Sequence, residues 1–208
     1  SLLLVGFAWG VAPSVAQPTG ILDAATLSPE EIAGLEWMVG EEKLAHDVYV
    51  ALYALWGQNT FQTISGSEAQ HVESVRGLLA AYDLGDPSAG LSAGQYADAE
   101  LQAVYDTLVA QGSQSLVEAL RVGAAIEEID ILDLQERLEQ TDEAAIQQVY
   151  TNLMNASGNH LRAFVRQIER QSGATYEPQY LTEEAYAEIV GASSGGQRQG
   201  RSEGRRGR

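Results

Sequence analysis

Helix start and stop signals divide most of the sequence into long helical segments. The first begins at Ser28-Pro29-Glu30-Glu31, where the serine can cap the helix, the proline suits its first position and Glu31 completes a capping box. We predict that this helix runs to about Leu55 and that Gly57 ends it. Apolar residues recur along it at helical spacing and define a buried stripe, consisting of Leu35, Met38, Ala45, Tyr49 and Leu52.

The same kinds of signal predict five further helices. We place them at residues 65–82, 98–110, 113–139, 143–171 and 182–191, with Thr141-Asp142 capping the fourth of these and Gly173 ending it. Only five of the 208 residues are proline, which also favours long helices. The predicted fold class is therefore all-α: a four-helix bundle with an extra short helix between the second and third long helices and a short C-terminal helix.

The two ends of the chain differ in composition from the bundle, which we assign to residues 21–191. Residues 1–16 open with an apolar stretch and end in Ser14-Val15-Ala16, so we interpret them as a secretory signal peptide that is truncated at its start. This predicts an exported protein, periplasmic or secreted, without stable membrane insertion after signal removal; a buried or membrane-anchoring N-terminal helix is the alternative. Residues 192–208 are rich in arginine and glycine and are predicted to be disordered.

Charge and cysteine content exclude several classes of function. The formal net charge is -17, so the protein repels phosphates and we expect no nucleic-acid partner. Such a charge attracts cations, or it simply keeps the protein soluble, and composition does not decide between the two. The chain has no cysteine, which excludes thiol catalysis, disulfides, iron–sulfur clusters and thiolate zinc sites.

Polar residues interrupt the apolar stripe of every long helix. A buried carboxylate without a partner is costly, whereas a cation bound among several carboxylates makes their burial tolerable. Carboxylates combined with imidazoles favour a hard divalent ion, so we predict one or two ions of iron or manganese per chain. The residues concerned are Glu42 on the first long helix, Glu68 and His71 on the second, Glu127, Glu128 and Asp130 on the third, and His160 on the fourth.

Four stretches of the sequence resemble the DUF2202 domain family of the ferritin-like superfamily. They are EEKLAHDVYVALY (41–53), SGSEAQHVESVRGLL (65–79), LVAQGSQSLVEALRVGAAIEEIDILDL (108–134) and VYTNLMNASGNHLRAF (149–164). The resemblance implies a rubrerythrin-like four-helix bundle. In that superfamily, one Glu from each of two helices and a Glu-x-x-His from each of the other two hold a pair of metal ions.

By this resemblance the metal ligands are Glu42 rather than Glu41, together with Glu68, His71, Glu127 and His160. The second Glu-x-x-His departs from the pattern, because it reads Ser157-Gly158-Asn159-His160 and lacks the carboxylate. Asp130, one turn from Glu127, is the candidate to supply a replacement oxygen; otherwise the site holds one ion or binds a second weakly.

Three residues are expected beside the ligands. Glu41 and Glu128 are direct neighbours of ligands in the sequence. Tyr49 either donates a hydrogen bond to a ligand, takes part in redox chemistry or only packs in the core.

Three functions stay open from the sequence. The first is a metal-dependent oxidoreductase that acts on Fe(II), dioxygen or peroxide. The second is a non-catalytic extracytoplasmic binding or structural module with a structural or vestigial metal site. The third is acid–base catalysis without metal by Glu68 and Glu127. Because ferritin-like bundles often dimerise, a homodimer is a further expectation.

Overall fold

The computed structural model describes residues 27–191, which fold into six α-helices without a β-strand. The helices are α1 Pro29–Trp56, α2 Asn59–Ala81, α3 Ala99–Gly112, α4 Leu116–Glu139, α5 Ala144–Ser172 and α6 Glu183–Gly191. The all-α prediction is confirmed for this part of the chain. The predicted signal peptide and the predicted disordered tail lie outside it. None of the helices described is long and apolar enough to span a membrane.

The bounds of α1 follow from its terminal residues. The Ser28 hydroxyl accepts a hydrogen bond from the backbone N–H of Glu31 at 3.1 Å, and the Glu31 carboxylate accepts one from the backbone N–H of Ser28 at 2.8 Å. At the other end Gly57 has a φ of 62°, a left-handed conformation that glycine adopts without strain. The capping box and the glycine therefore both act as the sequence predicts.

The predicted start of α2 and the predicted cap of α5 were wrong. α2 begins at Asn59 instead of residue 65, because Gln58 occupies the N-cap position without a side-chain hydrogen bond and so leaves no start signal. Burial of Phe61 stabilises this first turn instead. Thr141-Asp142 does not cap α5, whose N-cap is Glu143. The Thr141 hydroxyl donates a hydrogen bond to the Glu31 carboxylate at 2.5 Å and thereby ties the start of α5 to α1.

The four long helices pack against one another around a shared interior. α1 packs against α2, the next helix in the chain, and α4 packs in the same way against α5. In addition, α1 contacts α4, and α2 contacts α5. α3 lies against α1 and α4, and α6 lies against α5. Each long helix therefore has two long neighbours and turns one face inward.

The buried apolar side chains form two separate clusters along the length of this interior. One cluster includes Leu35 of α1 and Val75 of α2. The other includes Leu52 of α1, Phe61 of α2 and Phe164 of α5. Every long helix passes from one cluster to the other, and at each crossing its inward positions are polar. The interior is thus divided by a layer of polar side chains, which is where the candidate site lies.

Candidate metal centre

Three glutamates and two histidines from the four long helices meet between the two apolar clusters. Their potential ligand atoms form two groups, and within each group these atoms lie within 4.8 Å of one another. The first group consists of Glu42, Glu68 and His71, and the second of Glu68, Glu127 and His160. Glu68 belongs to both groups. The structure therefore brings together all five residues that the sequence singled out as principal ligands.

Glu68 faces one histidine with each of its carboxylate oxygens. Its Oε2 lies 2.6 Å from Nδ1 of His71, and its Oε1 lies 2.8 Å from Nδ1 of His160. Oε2 of Glu42 is 3.2 Å from Nδ1 of His71, and Oε2 of Glu127 is 3.4 Å from Nδ1 of His160. The two imidazole rings stack with centroids 5.7 Å apart. The site thus has two similar halves that share one carboxylate.

Burial and unpartnered atoms show that these residues suit a cation. The exposed fractions of Glu42, Glu68 and Glu127 are 1%, 3% and 2%. Oε1 of Glu42, Oε1 of Glu68 and Nδ1 of His160 are buried without a hydrogen-bond partner. The last two atoms are close together but are not aligned as a hydrogen bond. Buried polar atoms are normally paired, so these orphaned atoms fit a site in which a metal ion supplies the missing partner.

The protonation of the cluster reflects the crowding of its charges. Burial raises the pKa of Glu42 to about 8, and the charge of Glu68 adds to that rise. Burial also raises the pKa of Glu127. Burial raises the pKa of Glu68, but the neighbouring imidazoles of His160 and His71 outweigh it, so its pKa is lowered. Burial lowers the pKa of both histidines, but their carboxylate neighbours outweigh it, so both pKa values are raised. In the absence of a cation, protons on the imidazoles therefore compensate the carboxylates.

Tyr49 contacts a candidate ligand directly. Its hydroxyl donates a hydrogen bond to Oε1 of Glu127 at 2.6 Å and lies 3.3 Å from the carbonyl of Gly123. The ring is fully buried between Phe61 and Phe164, with centroids 6.1 and 5.3 Å away. Burial raises the pKa of the phenol, and the charge of Glu127 raises it further, so the hydroxyl stays a donor. The hydrogen bond leaves the other oxygen of Glu127 free to face His160.

Asp130 and Glu41 lie next to the cluster without joining either group. Asp130 accepts a hydrogen bond from the hydroxyl of Ser157, the residue at the position where the second Glu-x-x-His lacks its carboxylate. Glu41 lies on the adjoining face of α1 near Asp133. Burial raises its pKa, followed by the charges of Asp133 and Asp130, and its Oε2 is buried without a partner.

Glu128 does not lie beside the ligands, contrary to the prediction. Its Oε2 accepts hydrogen bonds from the backbone N–H groups of Gln179, Tyr180 and Leu181 at 2.7–2.9 Å. Its Oε1 accepts one from the hydroxyl of Tyr176 at 2.7 Å. Consecutive residues on a helix point about 100° apart, so Glu128 turns away from the side that Glu127 occupies. It fastens the segment between α5 and α6 to α4.

A second buried ionic network was missed by the sequence reasoning. Lys43 donates to Oδ2 of Asp47 at 2.5 Å, and the same oxygen accepts from the backbone N–H of Gly94 and the hydroxyl of Tyr96 at 2.8 and 2.9 Å. Lys43 also donates to the carbonyl of Ser92 at 3.0 Å. The network holds the connection between α2 and α3 against α1. The sequence feature that could have indicated this network is a pair of opposite charges, Lys43 and Asp47, four residues apart in an otherwise buried part of α1.

Comparison with known proteins identifies the same domain family that the sequence resembles. Residues 31–193 match the family described as an uncharacterized protein domain, DUF2202. The chain belongs to the DUF2202 family. A relative, the uncharacterized protein MJ0754 of Methanocaldococcus jannaschii, is 44% identical over 168 residues, which cover 81% of this chain and 90% of the relative.

The fold has a solved counterpart in this family. The crystal structure of the hypothetical protein MJ0754 superposes with a TM-score of 0.79 at 41% identity, covering 88% of this chain and 100% of that one. The helical arrangement described above is therefore similar to that of an experimentally determined structure.

Proposed function

We propose that this DUF2202 protein is a ferritin-like four-helix bundle that binds two iron or manganese ions and uses them to act on Fe(II), dioxygen or peroxide. The observation that carries the proposal is the pair of ligand groups that share Glu68. Two ions flanking a common carboxylate would each find two carboxylates and one imidazole within reach. The proposal includes the bundle assignment, which the contacts among the four long helices support.

The donor set favours the metals named. Carboxylate oxygens and imidazole nitrogens suit iron and manganese, and no cysteine is present to favour softer ions. Metal binding also requires both histidines to lose the protons that they share with the carboxylates. A cation would therefore replace those protons and give the unpartnered atoms of Glu42, Glu68 and His160 their missing contacts.

The residues of the site have different surroundings, and we expect different roles for them. A pair of redox-active ions would supply two electrons at one place, as the reduction of peroxide to water requires. The side chains of His71 and His160 are 11% and 12% exposed, so the imidazoles form the border with solvent. The glutamates lie behind them, between the two apolar clusters, where they are almost fully buried. The Tyr49 hydroxyl orients Glu127 from the opposite side.

Elemental analysis tests the proposal. The full chain, produced with iron and manganese supplied, is expected to carry two ions, and Glu68→Ala is expected to lose both because Glu68 serves both groups. Glu73→Ala is the matched control: Glu73 lies on the same helix, and its side chain is 70% exposed. A wild-type protein without bound metal after loading with either metal would refute metal binding.

A non-catalytic metal site is the second candidate, and Ser157 favours it. Its hydroxyl occupies the position where a carboxylate ligand would complete the second Glu-x-x-His. The two candidates differ in turnover. The oxidoreductase is expected to consume peroxide or dioxygen faster than the same concentration of free Fe(II) and to lose this rate in Glu68→Ala. If metal raises the melting temperature but does not increase oxidant consumption, the structural role is correct.

A further inference from the structure

We propose that Asp130 is an additional ligand of this centre, its fourth carboxylate, and that Ser157 positions it from the facing helix. This inference rests on the proposed metal binding. It extends that proposal, because Asp130 belongs to neither group of ligand atoms lying within 4.8 Å of one another.

The helical positions bring Asp130 and Ser157 to the edge of the centre. Asp130 follows Glu127 by three residues on α4, and Ser157 precedes His160 by three residues on α5, so both extend the face that already carries a ligand. The Ser157 side chain is buried, with 1% of its surface exposed, and its hydroxyl donates to Oδ2 of Asp130. The carboxylate of Asp130 is therefore held towards α5 across the interface of the two helices.

Asp130 is an electrostatic neighbour of candidate ligands from both groups. Burial raises the pKa of Asp130, and the charges of Glu42 and Glu68 raise it further. The charge of Asp130 in turn helps to raise the pKa of Glu127. These mutual effects fit the position of Asp130 at the edge of the centre, next to Ser157.

Charge balance gives a reason for a fourth carboxylate. Two divalent ions with three carboxylates and two neutral imidazoles would leave one net positive charge in a buried site. Burying a charge without compensation is expensive. An ionised Asp130 beside Glu42, Glu68 and Glu127 makes the loaded centre neutral without adding an ion from solvent.

Ser157 can release Asp130 without losing its own hydrogen bond. A hydroxyl has a single proton to donate, and two acceptors lie within reach of it: Oδ2 of Asp130 and the carbonyl of Leu153, at 3.0 Å. When the carboxylate turns towards an ion, the hydroxyl donates to Leu153 instead. The turn therefore leaves no buried donor unsatisfied, and Ser157 stabilises the carboxylate in its waiting position.

The test is the number and affinity of bound ions in Asp130→Asn. Mn(II) binding to the full chain is measured by isothermal titration calorimetry and by elemental analysis. We expect two ions in the wild type and, in Asp130→Asn, either one ion or a second ion bound at least about tenfold more weakly. The matched control is Asp133→Asn, on the same helix, which faces Glu41 and should leave both ions unchanged.

A second variant separates a ligand from a merely structural residue. Asp130→Asn combined with Ser157→Asp places a carboxylate on α5 at the same level, and we expect it to restore the second ion. If Asp130→Asn alone does not fold, Ser157→Ala is measured instead. Because its hydroxyl stabilises Asp130 in the waiting position, its removal is expected to raise the affinity of one ion severalfold, and unchanged affinities of both ions would contradict the inference.

Two results overturn the inference. If the Asp130→Asn variant binds two ions with wild-type affinity, Asp130 is not a ligand, while the proposed metal centre stands. A wild type that binds no Mn(II) or iron refutes the metal centre itself and the inference with it.

Discussion

Glu128 offers a quantitative test of the structure because it joins two distant parts of the chain. Its side chain has no exposed surface, and its carboxylate accepts four hydrogen bonds from the segment between α5 and α6. We predict that Glu128→Ala destabilises the protein and detaches this segment but leaves metal binding intact. The prediction distinguishes Glu128 from its neighbour Glu127, which faces the centre.

The expected size follows from the burial of the four donors. The hydroxyl of Tyr176 and the N–H of Leu181 are buried, whereas the N–H groups of Gln179 and Tyr180 are partly exposed and can bind water after the substitution. Leaving a buried donor unsatisfied costs about 2 kcal/mol, so two such donors lower the free energy of unfolding by about 4 kcal/mol. Glu128→Gln keeps an oxygen for the backbone donors and should cost only about 1 kcal/mol.

Urea unfolding followed by circular dichroism measures these differences, and limited proteolysis reports cleavage between residues 173 and 182. Glu136→Ala, at an exposed position of the same helix, is the control. If Glu128→Ala unfolds within about 0.5 kcal/mol of the wild type, the size expected of a surface substitution, the assignment of Glu128 as the anchor is refuted.

Three further predictions concern pH, packing and proton exchange. Burial would raise the pKa of Asp47, but His46, Lys43 and the N–H of Gly94 lower it to about 2. The ionised Asp47 carboxylate therefore stabilises the fold above about pH 4, and this stabilisation is lost as the pH falls through about 2. Asp47→Asn should therefore lower the melting temperature at pH 7, and the difference should shrink towards pH 2. Gly123→Ala should destabilise by about 1–3 kcal/mol in urea unfolding, because its Cβ would lie 2.5 Å from the Phe164 ring; Gly77→Ala, with open space around its Cβ, should stabilise by up to about 1 kcal/mol. Metal binding should release protons and tighten as the pH rises, because both histidines are protonated without a cation. Calorimetry in two buffers of different ionisation enthalpy measures the proton release, and equal binding enthalpies in both buffers would contradict the prediction.

The sequence was informative where a local signal determines the structure. The capping box at Ser28 and the glycine at position 57 set the ends of α1, and both signals lie within a few residues of the helix ends they specify. Polar residues on an apolar stripe indicated the centre, because helical periodicity alone turns Glu42 towards the interior. These features needed no knowledge of the other helices.

Other features depend on contacts between residues far apart in the chain, so the sequence could not predict them. Periodicity separates Glu127 from Glu128 but does not reveal that the segment near Leu181 packs beside the latter. The same holds for Asp47, whose partners Gly94 and Tyr96 follow 47 and 49 residues later. The start of α2 was missed for another reason, since Gln58 gives it no capping side chain.

Anomalous X-ray diffraction from crystals of the full chain loaded with Mn(II) or Fe(II) tests the metal centre most directly. The proposal predicts two anomalous peaks, one within ligand distance of Glu42, Glu68 and His71 and the other within ligand distance of Glu68, Glu127 and His160. In proteins, ions that share a ligand in this way lie about 3.5–4 Å apart. Peaks confined to the acidic surface, or a polar layer without any peak, would contradict the metal centre.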